Sequence, residues 1–250
     1  MTRLKNKIVI VTGGNGGIGK SICKNLLLND AKVIFTYNSN LQEAKKVYSE
    51  FKKDYPNKIY YFKLDIRKRQ SVKMLFQKIK SKFSKIDVLI NNSGVNKVED
   101  FYKTSDKNWD YIMNTNLKGT FICCQESFKI FRKQKFGRII NISSASAMYH
   151  GPKTVHYAVS KAGINSLTKV IARYGAKYNI YVNAIAPGII KTNLTKKEIK
   201  NKSGENYINM TLLNRFGKSE DVSSLCVYLS SDEQNYITGQ VFNVSGGAVL

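Results

Sequence analysis

The chain has 250 residues, 42% of them hydrophobic, with 41 Lys and Arg against 17 Asp and Glu for a formal net charge of +24. That length buries a large core, often in a single α/β domain; no apolar run approaches the roughly 20 residues of a membrane-spanning helix, and Met1-Thr2-Arg3-Leu4-Lys5-Asn6-Lys7 lacks the apolar core and cleavage site of a signal peptide, so a cytoplasmic protein is expected. The charge leaves two readings open, attraction to acidic partners or a Lys-, Asn- and Ile-rich composition of the AT-rich kind, and with no basic tail, zinc-finger or RNA-recognition signature, nucleic acid is not the expected partner.

Strand-like apolar runs alternate with amphipathic ones along the whole chain. Ile8–Thr12 is a buried-type strand, and the glycine run Gly13–Gly19 opens a helix to Asn29. Lys32–Tyr37 is the next strand, followed by a helix over Leu41–Phe51. Further strands are expected at Ile59–Leu64, Val88–Asn91, Arg138–Ser143, Tyr181–Ile185 and Val241–Val244. Helices separate them at Ser71–Phe83, Trp109–Lys133, His156–Lys177 and Glu220–Ser230. Strands spaced by helices predict one doubly wound, Rossmann-type parallel sheet with helices on both faces, without linker or repeat over 1–250. The polar stretch Lys191–Arg215 fits either a surface loop with a short helix or a lid over a cleft. Cys23, Cys123, Cys124 and Cys226 fit no ligand spacing, and His150 and His156 make no metal pattern with them, so buried thiols and no metal are expected.

Two motifs suggest chemistry. Thr12-Gly13-Gly14-Asn15-Gly16-Gly17-Ile18-Gly19 follows a strand and opens a helix, where glycines admit a tight turn and close approach to a pyrophosphate; the helix N-terminus adds amide donors and a favourable dipole. Tyr157-Ala158-Val159-Ser160-Lys161 stacks a phenol and an ammonium on one helix face. A phenol has a pKa of about 10 in water, and a fixed cation beside it favours the phenolate, which suits acid–base work.

Together these motifs resemble the short-chain dehydrogenase/reductase family over essentially the whole chain. Thr-Gly-x-x-x-Gly-x-Gly is similar to its cofactor fingerprint, Asn91-Asn92-Ser93-Gly94 to the segment after its fourth strand, and Asn116-Leu117-Lys118-Gly119 to the segment bearing its catalytic asparagine. Ile142-Ser143-Ser144 stands where the family has its catalytic serine, thirteen positions before Tyr157. Ala186-Pro187-Gly188-Ile189-Ile190-Lys191-Thr192 resembles the nicotinamide-holding segment, and Ile237-Thr238-Gly239-Gln240 with Ser245-Gly246-Gly247 the C-terminal signature. The resemblance implies a Tyr157 proton donor, Lys161 lowering its pKa and binding the nicotinamide ribose, Ser144 (or Ser143) holding the substrate oxygen, and an Asn116 water relay or structural amide. It also implies a cofactor site of Gly13, Asn15, Gly16, Gly17, Ile18, Gly19, Asn38, Asp65, Ile66, Asn92, Tyr157, Lys161, Ile190 and Thr192.

No acid follows the second strand until Glu43, which favours NADP(H) over NAD(H) without excluding the latter; Asn38 and Ser39 would meet the 2′-phosphate. Asp65 is placed to meet the adenine or simply to cap its strand. Among branches, Gly137–Ser144, Val182–Gly188 and Asn214-Arg215-Phe216-Gly217 most resemble the 3-oxoacyl-acyl-carrier-protein reductases, implying a fatty-acid-synthesis carbonyl substrate. Arg132, Lys133, Lys135, Arg173 and Lys177 would then face an acidic carrier protein. His156, in place of that branch's usual amide, and the Ala145–His150 loop also fit a sugar, polyol or polyketide-like substrate, with His156 expected as a loop or cap residue. A homotetramer through the two longest helices is the family's usual assembly; a non-catalytic dinucleotide-binding module is the remaining alternative.

Overall fold

The computed structural model describes residues 4–149, 153–192, 195–199 and 202–250. Parts of three expectations, at 1–3 in the N-terminal reading, 150–152 before Tyr157 and 193, 194, 200 and 201 in the lid segment, lie outside the described residues.

Seven strands form one all-parallel sheet in the order β3-β2-β1-β4-β5-β6-β7. They are β1 (Ile8–Val11), β2 (Lys32–Tyr37), β3 (Ile59–Lys63), β4 (Val88–Asn91), β5 (Gly137–Ile142), β6 (Ile180–Pro187) and β7 (Val241–Val244). The intervening helices are α1 (Gly17–Leu28), α2 (Leu41–Asp54), α3 (Arg69–Phe83), α4 (Asp106–Met113), α5 (Gly119–Gln134), α6 (Ser146–Tyr149), α7 (Val155–Gly175), α8 (Lys196–Ile199), α9 (Lys202–Met210) and α10 (Ser219–Ser230). Because successive strand residues point to opposite faces, Val9 and Val11 enter one core with Ile22, Leu26, Phe35 and Val222, while Ile8 and Ile10 enter the other with Phe76, Ile122 and Phe131. With both faces covered, β1, β4 and β5 are buried at every position. The strand order reverses between β1 and β4, so a crevice opens there at the carboxyl ends of the strands.

Two segments differ from the sequence reading. The single helix expected over Trp109–Lys133 starts earlier, because the Ser105 hydroxyl accepts the Asn108 amide and caps α4, and a π-helical turn, Asn114–Lys118, separates α4 from α5. The Lys191–Arg215 stretch holds two helices, α8 and α9. Tyr207 of α9 is docked rather than surface-bound: its hydroxyl accepts the Ile189 amide at 3.0 Å, its ring stacks on Phe216, and burial pushes its pKa up. Tyr149 of α6 also reaches α9, donating to Met210 Sδ at 3.4 Å. All four cysteines are buried thiols, with burial raising the pKa of each. Among the described residues no acid–His–Cys group could hold a metal, and no helix is long and apolar enough to cross a membrane.

Candidate active site

The glycine turn between β1 and α1 forms one wall of the crevice. Gly13 has φ +65°, a left-handed conformation that L side chains rarely adopt. A Cβ on Gly19 would fall 2.3 Å from the Gly13 carbonyl and 2.6 Å from Asn92 Nδ2, so the turn closes only over a hydrogen atom. Gly16, at the N-cap of α1, behaves differently: a Cβ there would meet nothing within 4 Å. The first turn of α1 carries no acidic residue and no side-chain cap, leaving its amides and dipole directed at open space. Asn15 and Ile18 flank this cradle half-buried. The Thr192 methyl lies 3.5 Å from where a Gly17 Cβ would stand, so the segment after β6 forms the opposite wall. An open, uncapped helix N-terminus under a glycine turn fits the diphosphate of a dinucleotide.

Several expected cofactor residues are engaged by the protein itself. Asn92 Nδ2 donates to the Thr12 and Gly13 carbonyls at 3.1 and 2.9 Å. Its amide side chain therefore holds the glycine turn, supplying donors that carbonyls in so tight a turn would otherwise lack. Asp65 accepts from Arg67 Nε at 2.9 Å, Nη2 at 2.7 Å and the backbone N–H at 3.1 Å, and the guanidinium keeps its pKa below the ordinary value. Asp65, two residues past β3, is thus paired within the loop and not an unengaged acceptor. Ile66 is buried against Gly119, where an added Cβ would lie 2.7 Å away. Asn38 and Ser39 are exposed at the end of β2, while Asn40 caps α2 through the Glu43 amide. The Ile190 carbonyl accepts the Thr195 hydroxyl at 2.5 Å, and the Thr192 N–H donates to Thr195 Oγ1 at 3.0 Å. Thr195, which the sequence did not single out, therefore clasps the backbone groups expected to meet the cofactor.

Helix α7 brings the other residues together. A buried chain sets its height on the sheet: Asn91 Nδ2 donates to Asn141 Oδ1 and Asn141 Nδ2 to Thr168 Oγ1, each at 2.9 Å, tying β4 to β5 to α7. One turn beyond half-buried Tyr157, Lys161 is 4% exposed and donates to the Ile142 carbonyl at 2.7 Å. Its Nζ lies 5.5 Å from the centre of the Tyr157 ring. Burial, with no carboxylate to offset it, lowers the Lys161 pKa from 10.5 to about 8.

The two serines separate cleanly. Ser143 Oγ donates to the Lys161 carbonyl at 3.1 Å and is used within the fold. Ser144 Oγ accepts the Ser146 amide at 3.1 Å, and its hydroxyl proton meets no acceptor among the described residues. Asn116, on the π turn, is fully buried: its Oδ1 accepts the Val95 N–H and its Nδ2 donates to the Val95 carbonyl, both at 2.9 Å. Nδ2 also donates to Ser160 Oγ at 3.1 Å, and that hydroxyl donates to the Tyr157 carbonyl at 2.7 Å. A Cβ on Gly94 would stand 3.5 Å from both Asn116 Oδ1 and Lys161 Nζ, which brings those two groups to one corner. Ser160 went unremarked in the sequence although it sits inside the Tyr-x-x-Ser-Lys string. Arg132, Lys133, Lys135, Arg173 and Lys177 are all exposed, at the far ends of α5 and α7; Arg173 lies about 24 Å along α7 from Tyr157.

A phenol ring thus lies beside a buried ammonium, and an uncapped helix N-terminus opens under the glycine turn; known proteins resemble the sequence that builds them. The short chain dehydrogenase family profile matches residues 7–203. The 3-oxoacyl-acyl-carrier-protein reductase FabG of Thermotoga maritima is 35% identical, over 99% of this chain and 100% of its own. That of Aquifex aeolicus is 36% identical over 98% of each chain, and the 3-oxoacyl-acyl-carrier-protein reductase of Synechocystis 34% over 100% of each. The crystal structure of gox2181 superposes with a TM-score of 0.95 at 27% identity, covering 99% of this chain and 97% of that one. With a family match over most of its length and full-length relatives above 30% identity, this chain belongs to the short-chain dehydrogenase/reductase family.

Proposed function

We propose that this chain reduces 3-oxoacyl thioesters carried on acyl carrier protein to the 3-hydroxyacyl form, with NADPH as reductant. Family membership makes it an oxidoreductase using a nicotinamide dinucleotide. The observation that carries the substrate assignment is full-length similarity, at 34–36% identity, to reductases named for that substrate in three bacteria.

Bound in the crevice, the reduced nicotinamide supplies the hydride. The chain supplies placement and a proton. Tyr157 gives its phenolic proton to the carbonyl oxygen as charge develops there, a contribution of about 10²–10⁴ in rate. Lys161, still largely protonated at neutral pH, stabilises the phenolate left behind and is available to a ribose hydroxyl. Ser144 donates its hydroxyl proton to the same carbonyl oxygen, worth about 10²–10³. Asn116 holds the Val95 main chain beside Lys161. The open cradle at Gly16 and the amides of α1 hold the diphosphate, with Thr192 closing the opposite side. The absence of an acid between Tyr37 and Glu43, with Asn38 and Ser39 exposed, supports the 2′-phosphate form of the cofactor. The homotetramer is assigned to α5 and α7, which expose Phe121, Val159, Val170 and Tyr174.

The test is NADPH and NADH oxidation with acetoacetyl thioesters on acyl carrier protein and on coenzyme A, beside a simple ketone and a panel of sugars and polyols. Turnover is expected to be fastest on the carrier-borne thioester with NADPH. Turnover of a sugar or polyol with none of any thioester would overturn the assignment.

A further inference from the structure

His156 immediately precedes Tyr157, and it is fully buried, so it cannot touch substrate. Its Nδ1 accepts the Tyr157 backbone N–H at 2.9 Å. That N–H is one of the four donors that the start of a helix leaves without an intrahelical partner, and Thr154, at the N-cap of α7, makes no side-chain cap bond. An imidazole nitrogen that accepts carries no hydrogen, so the neutral ring bears its proton on Nε2. Nε2 lies 3.2 Å from Glu99 Oε1.

Glu99 belongs to the loop after β4. Its Oε2 accepts from Asn108 Nδ2 at 2.9 Å and lies 3.4 Å from Lys97 Nζ, while its own N–H donates to the Lys153 carbonyl at 3.0 Å. Asp100 pairs with Lys153 at 3.7 Å. One carboxylate therefore joins three segments: the loop after β4, the first turn of α4 and the first turn of α7. The same loop carries Val95, whose main chain Asn116 grips.

We infer that Glu99 and His156 form a positioning pair for Tyr157: Glu99 fixes the tautomer and orientation of the imidazole, and Nδ1 anchors the Tyr157 backbone so that the phenol stays registered on Lys161 and Ser144. This rests on Tyr157 being the proton donor. It also gives a function to the residue by which this chain departs from the amide usual in the 3-oxoacyl-reductase branch.

The test compares His156→Phe, which keeps bulk but loses both contacts, with Glu99→Ala and the rescue variant Glu99→Gln, whose carbonyl can still accept from Nε2. In the first two, kcat is expected to fall about ten- to a hundredfold, the cost of displacing a reacting group by about an ångström. NADPH affinity, read by fluorescence, is expected to stay within about twofold, because neither Glu99 nor His156 is among the expected cofactor residues. In alcohol oxidation Tyr157 acts as base, so the rise of kcat with pH should move upward in both variants as the phenol leaves its cation. Glu99→Gln is expected to restore kcat and profile. The tyrosinate absorbance that Tyr157→Phe removes gives the same readout without turnover, which separates failure of this inference from failure of the proposed reaction. Wild-type kcat and phenol titration in Glu99→Ala would overturn the pairing, as would losses explained by a smaller NADPH-binding fraction alone. If His156→Phe does not fold, the two Glu99 variants carry the test.

Discussion

Lys161 offers a direct test of the site's electrostatics. It is 4% exposed, and burial alone brings its ammonium from 10.5 to about 8. At about 1.36 kcal/mol per pH unit, that gap corresponds to roughly 3 kcal/mol of folding free energy lost while the group is charged. Below pH 8 both folded and unfolded chains hold the proton and the penalty is complete. Between about 8 and 10.5 the folded protein has released the proton that the unfolded chain still binds, so stability rises with pH. Lys161→Met removes this dependence, and loss of the bond to the Ile142 carbonyl only offsets the curve by a constant. Both proteins should carry Tyr157→Phe, so that the neighbouring phenol does not titrate in the comparison. Relative to Lys161→Met, the lysine protein is expected to gain about 2 kcal/mol between pH 7 and about pH 9.5, or about 4–8 °C in Tm for a domain of this size. Cofactor-free thermal or urea melts across that range measure it. Parallel pH dependence in the two proteins would refute the argument that the ammonium is buried without a compensating carboxylate.

Other substitutions probe the cofactor cradle. Gly19→Ala, whose Cβ would meet a backbone oxygen at 2.3 Å, is expected to cost about 1–3 kcal/mol in urea unfolding and to abolish NADPH binding. Gly16→Ala is expected to leave cofactor-free stability within about 0.5 kcal/mol while weakening NADPH binding, because its Cβ enters only the open cradle. Asn38→Asp puts a carboxylate at the end of β2, where it favours a ribose 2′-hydroxyl and repels a 2′-phosphate; kcat/KM is expected to shift toward NADH by about tenfold or more.

Much of the architecture was legible because parallel strands buried on both faces read as continuous apolar runs. Lys32–Tyr37 and Val88–Asn91 coincide with β2 and β4; Val241–Val244 coincides with β7, an edge strand that is only half-buried. The π turn at Asn114–Lys118 was not legible, since it uses residues that an ordinary helix accepts and is held by the long-range Asn116–Val95 bonds. Docking of Tyr207 in α9 was hidden for a related reason: one buried aromatic in a polar stretch shows no periodicity, and its partners at Ile189 and Phe216 are distant in sequence or beyond the helix. Of the motif residues, Asn116 and Lys161 meet at one corner beside Gly94, and the Tyr157 ring lies next to Lys161. Motifs did not reveal which polar atoms the fold already uses, as at Asn92, Asp65 and Thr192. His156 was read as a loop or cap residue, but its burial and the Glu99 contact depend on a loop 57 residues away.

The central claim is that Tyr157 supplies the proton at a hydride-transfer site, and Tyr157→Phe measured for both turnover and NADPH binding tests it most directly. The account expects carbonyl reduction to fall by at least about 10² while NADPH binds with near wild-type affinity. Reduction near the wild-type rate would contradict it.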